Sequence, residues 1–81
     1  MTNVEKNASG VYDSPTFKST GTNILQTDAT STISVFVRVD EAADWVKADN
    51  IKAGDVLTEL NLYPGMHVML SSSKPFSYGY L

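Results

Sequence analysis

Cysteine is absent from this 81-residue chain, which excludes disulfide staples and thiolate zinc sites alike. A single histidine, His67, cannot build a multi-histidine metal site. Clustered Lys and Arg are also missing. The six basic residues are scattered and the formal net charge is −3. That argues against a phosphate-binding surface, so no nucleic-acid partner is expected. No apolar run approaches the roughly 20 residues of a membrane helix, and no membrane role is expected. The N-terminus lacks a basic start followed by a continuous apolar core, so no signal peptide is expected either. Convincing helical periodicity is lacking, as is any repeat of the length that marks a solenoid or propeller.

What is present suffices for one small domain. The apolar fraction, 42%, supports a globular core. That core must be thin, because a domain near this size buries only about 60% of the surface its unfolded chain exposes. Small folds then need a staple. With disulfides and zinc excluded, the remaining staple is a partner chain, so self-association or docking on a larger surface is the first inference.

Along the chain, two regions differ. Residues 1–23 are rich in Ser, Thr, Asn and Gly, with Pro15 in the middle and Val4, Val11, Tyr12 and Phe17 too widely spaced for a helical stripe. They read as an extended N-terminal arm, long enough to cross a neighbouring subunit at about 3.3 Å per residue. Deleting such an arm is expected to leave a folded domain. From Ile24 the period changes to two. In "STISVFVRVD" Ile33, Val35, Val37 and Val39 share one face, and Thr32, Ser34, Phe36 and Arg38 the other. That alternation predicts a half-buried strand. "DEAAD" (40–44) reads as a hairpin loop leading into "WVKA", although Asp40 could instead cap one helical turn.

Ala53-Gly54-Asp55 signals a turn, and Val56, Thr58, Leu60 and Leu62 then alternate with Leu57, Glu59, Asn61 and Tyr63. Pro64-Gly65 suits the centre of a type II turn. Met66, Val68 and Leu70 alternate next with His67, Met69 and Ser71, and Phe76, Tyr78 and Tyr80 share one side of a closing strand. Short strands separated by turn residues predict an all-β fold, a small antiparallel β-sandwich or barrel over residues 24–81. Its expected core holds Ile33, Val35, Val37, Val39, Val56, Leu60, Leu62, Val68 and Leu70.

Candidate chemistry is sparse. Catalysis by His67 would need a nucleophile on one ring nitrogen and a carboxylate on the other. Serines 71–73 are near in sequence, but no strained nucleophile elbow appears. His67 therefore reads as a solvent- or interface-facing strand residue, and no catalytic residue, metal ligand or cofactor is expected. Asp40, Glu41, Asp44, Asp49 and Asp55 lack the spacing of a calcium loop. Trp45 is expected to pack in the core, and Tyr12, Phe17, Tyr78 and Tyr80 to contact a partner. Exposed and coplanar, Trp45 or the C-terminal tyrosines would instead suit sugar rings. Asn7-Ala8-Ser9 matches a glycosylation acceptor, a match expected by chance.

The succession "ISVFVRVD", "WVKADNIKAGDVLTEL", "YPGMHVML" and a last aromatic strand resembles small β-sandwich virion proteins of tailed bacteriophages. The resemblance covers about the last fifty residues and rests on the two turn motifs Ala53-Gly54-Asp55 and Pro64-Gly65. It implies a non-enzymatic capsid decoration (cement) protein, forming a homo-oligomer, often a trimer. Such a protein would contact the major capsid protein or another virion protein, in particles assembled in the host cytoplasm. A carbohydrate-binding or adhesive module of a head fibre or tail is the alternative.

Overall fold

The structure is a computed structural model and describes residues 1–80. Nine strands and no helix are present among those residues. They are β1 (Thr2–Asn3), β2 (Tyr12–Asp13), β3 (Phe17–Lys18), β4 (Thr22–Ala29), β5 (Ile33–Arg38), β6 (Val46–Ile51), β7 (Leu57–Asn61), β8 (His67–Ser72) and β9 (Phe76–Tyr80). The first sheet runs β1-β9-β4-β7 and the second β2-β8-β5-β6, with β3 also on β8. Every pairing is antiparallel. The fold is thus a small β-sandwich, as the alternation predicted.

The period-two strands bury the residues their patterns assign. Ile33, Val35, Leu60, Val68, Leu70, Phe76 and Tyr78 line the interior, joined by Leu25 and Ile51. Both turns adopt the expected chemistry. The Met66 amide donates to the Tyr63 carbonyl across Pro64-Gly65, and Asp55 to Lys52 across Ala53-Gly54. Gly65 and Gly54 take φ of 84° and 88°, the left-handed values that the third residue of a type II turn requires. Residues 39–45 connect β5 to β6 as a hairpin loop. Asp40 still uses its side chain there, accepting from the Ala42 and Ala43 amides.

The N-terminal region departs from its expectation. Residues 1–23 are extended, but they lie on the sandwich as part of it. β1 pairs with β9, while β2 and β3 together form an interrupted edge along β8. Val4 is buried in the core, and its amide donates to the Phe76 carbonyl. Pro15 breaks this edge strand, and Ser14 repairs the break: its amide donates to the Leu70 carbonyl and its hydroxyl oxygen accepts from the Leu70 amide. The physical reason is the thin core. Sheet area that two strands of this length cannot cover is covered by folding the polar segment back.

Three further expectations fail locally. Val39 is 68% exposed because β5 ends at Arg38 and the chain turns there. Val56 is 63% exposed because it lies at the open side, where the chain crosses from β6 to β7. Trp45 belongs to the hairpin loop and is only half-buried, with the Arg38 guanidinium 4.3 Å above its ring. Period two from Ile24 singles out no strand at β4, which begins at Thr22, inside the expected arm, and turns two polar residues, Asn23 and Thr27, inward.

Candidate functional site

Tyr12, Phe17, Tyr78 and Tyr80, expected to meet a partner, are placed largely against the protein itself. Phe17 on β3 stacks on Tyr78 at 6.2 Å and meets Tyr80 edge-on at 4.9 Å, while Tyr78 and Tyr80 lie 6.1 Å apart. This cluster joins an edge of the second sheet to β9 of the first. Tyr78 is buried, which corrects its assignment as a contact residue: inward parity on a central strand put it in the core. Phe17 and Tyr12 are half-buried and pack on the core. Tyr80, at the strand end, remains 53% exposed and open to a neighbour. Burial pushes the Tyr78 phenol up from its ordinary pKa. Tyr80 is pushed up by burial and then by the neighbouring Tyr78.

His67 faces outward from β8, directly between Lys18 on β3 and Arg38 on β5. Its Nδ1 accepts a hydrogen bond from Arg38 Nε at 3.2 Å. The imidazole is thus held by a cation, where a catalytic base would be held by a carboxylate. Asn7 folds its side chain into a turn, its Oδ1 accepting from the Ser9 and Val11 amides and its Nδ2 donating to Asp13. The acidic residues of the loops form no metal-holding group among the described residues. The aromatic residues proposed for sugar stacking do not form a flat platform: Tyr78 and Tyr80 meet at 80°, and Arg38 covers Trp45.

Two concavities stand out among the described residues. One, of about 560 Å³, opens at a corner of the sandwich between Val37, Asn61, Leu62, Tyr63, Pro64 and Met66. Its rim residue Tyr63 is 80% exposed, and Val46, which lies opposite Val37, is also exposed. The other, about 380 Å³, lies by Asn3, Val4, Glu5, Asp13, Ser14 and Pro15. The first is apolar and open, which suits a protruding side chain better than a reaction. Sequence could not find it, because it arises where sheet ends that are distant in the chain diverge.

No protein-family model, curated protein or solved structure matches the chain.

Proposed function

We propose that the protein is a non-enzymatic structural component of a tailed phage particle, a capsid decoration protein that reinforces the shell through contacts with its own copies and with another virion protein. The observation that carries this reading is the uncovered apolar corner. On an 81-residue domain, Tyr63, Val46 and the Leu62–Met66 turn leave apolar surface facing outward beside an open pocket. Contiguous exposed apolar surface rimmed by polar residues is the usual mark of a protein contact. With residues 1–23 folded onto the sandwich, this corner supports a partner contact better than a free arm does. A decoration role also fits the outward, cation-held His67, since it requires no reacting centre.

The test is add-back to particles lacking the protein, scored by co-sedimentation and by survival of heat shock. The wild-type chain should bind and protect. Tyr63→Asp should lose both while keeping its melting temperature, because an 80% exposed side chain contributes little to the fold. Failure of the wild-type chain to bind any particle would refute the proposal. The adhesive alternative has lost its coplanar platform and is left without a specific observation in its favour.

A further inference from the structure

The outward face of the second sheet gathers side chains that the sequence scatters. Across β3, β8 and β5, Lys18, His67 and Arg38 stand in one row. In the next row Met69, Phe36 and Lys47 lie side by side on β8, β5 and β6. Phe36 and Met69 are half-buried, with no second layer over them. Three of the six basic residues of an acidic chain, Lys18, Arg38 and Lys47, therefore surround one apolar centre. At the end of the basic row, the loop between β5 and β6 carries Asp40, Glu41 and Asp44, all exposed. Asp40 fixes that loop through its two amide contacts, so the acids are presented on ordered backbone.

We infer that this face is the surface on which a second copy of the chain docks, as a two-fold pair. A two-fold interface must be self-complementary: what one copy offers, the other receives. A basic row beside an acidic loop meets that condition. Rotated about an axis through the Phe36–Met69 centre, each copy brings its Asp40–Asp44 loop toward the basic side chains of the other. The layout has the anatomy of a protein interface, with an apolar, aromatic centre inside a charged rim. The broad faces of the molecule span about 28 × 28 Å, so a standard interface of roughly 800 Å² per partner would occupy nearly a whole face.

Pairing through sheet edges is the competing route, and the edges are short or blocked: β1 offers only two residues. β6 carries a bulge at Ala48, flanked by Lys47 and Asp49. β7 has Glu59 at its centre, so a two-fold pairing there would oppose like charges. The β2–β3 edge is broken at Pro15. Bulges, charges and proline are the devices that keep edges unpaired. Association is thereby directed to a face.

This inference rests on the self-association in the proposed function and not on the virion setting. The test follows the full chain by native mass spectrometry and sedimentation over a range of concentrations and salt. Trp45, the only tryptophan, reports locally by fluorescence. The wild type should dimerise, more weakly as salt rises. Lys18→Glu/Lys47→Glu and Glu41→Lys/Asp44→Lys should each weaken self-association by roughly tenfold to a hundredfold. Mixed together, the two variants should pair with one another. A wild type that stays monomeric at the highest concentration overturns the inference. So does a Lys18→Glu/Lys47→Glu chain that associates like the wild type. In either case the particle-binding assay still reads the decoration role independently.

Discussion

Asn23 is the most heavily used polar side chain in the interior. It is buried on β4, and its amide nitrogen donates to Ser19 Oγ at 3.0 Å, to the Gly21 carbonyl and to the Leu60 carbonyl, both at 3.1 Å. Its oxygen accepts from the Thr20 amide. One side chain thus ties the end of the N-terminal segment to both β4 and β7. Among the described residues no buried polar side-chain atom lacks a partner. Asn23→Ala would leave several groups unpaired at once, and each unsatisfied buried group costs about 1–3 kcal/mol. The urea midpoint of Asn23→Ala should fall accordingly, and Asn23→Asp should fall further, because it also buries a charge. The tyrosines supply a pH signature. Raised phenol pKa values mean that the folded state holds these protons more tightly than the unfolded state, whose tyrosines titrate near about 10. Their contribution is complete below that pH and is lost as pH rises above it. Melting temperature should therefore stay level from neutral pH until the alkaline range and then decline. In Tyr80→Phe the decline should be shallower.

At the scale of the element, the N-terminal strands decide what the domain is. β1, β2 and β3 are two residues each, yet they cover β9 and β8 and bring Val4 and Phe17 inward. Without residues 1–23 the Phe76 and Leu70 carbonyls lose partners and Leu70, Val68 and Tyr78 lose cover. The truncated chain is expected to be unfolded or molten by circular dichroism, with far-ultraviolet signal surviving better than near-ultraviolet. A cooperative native-like melt of residues 24–81 would contradict this. Strands β5, β8 and β9 were legible because apolar side chains alternate strictly, as in Ile33-Val35-Val37 and Val68-Leu70, and β7 because turn signals bracket it. The N-terminal strands were not. Their inward positions include Ser14 and Ser19, which are buried only because tertiary partners satisfy them: Ser14 through Leu70, Ser19 through Leu62 and Asn23. β4 hid for the same reason, with Thr27 donating to the Asp55 carbonyl. The outward face was half legible. Alternation placed Phe36 with Arg38 and His67 with Met69, but the arrival of Lys18 and Lys47 depends on strand order, which no local pattern encodes.

At the scale of the molecule, the balance between core and surface makes stability and assembly a single question. Seven large side chains among the described residues are fully buried, from Leu25 to Leu70 along the chain, and they form one layer between two sheets. A lone core of this kind seldom supplies more than about 3–5 kcal/mol. Deep truncations are correspondingly severe, at about 2–5 kcal/mol for a buried Leu→Ala. Around this thin interior, Val39, Val46, Val56, Leu57 and Tyr63 all remain exposed. A partner that binds only the folded chain adds stability by mass action, about 2.7 kcal/mol when it is present at a hundred times its dissociation constant. For a domain of this length each kcal/mol moves the melting temperature by roughly 4–8 °C. The wild-type chain should therefore melt several degrees higher when concentrated a hundredfold, and high salt should erase part of the gain. Lys18→Glu/Lys47→Glu should need a roughly tenfold to hundredfold higher concentration than the wild type to reach the same melting temperature. A melting temperature independent of concentration in the wild type would mean that the core is self-sufficient, and the exposed surfaces would then need a purpose other than holding copies together.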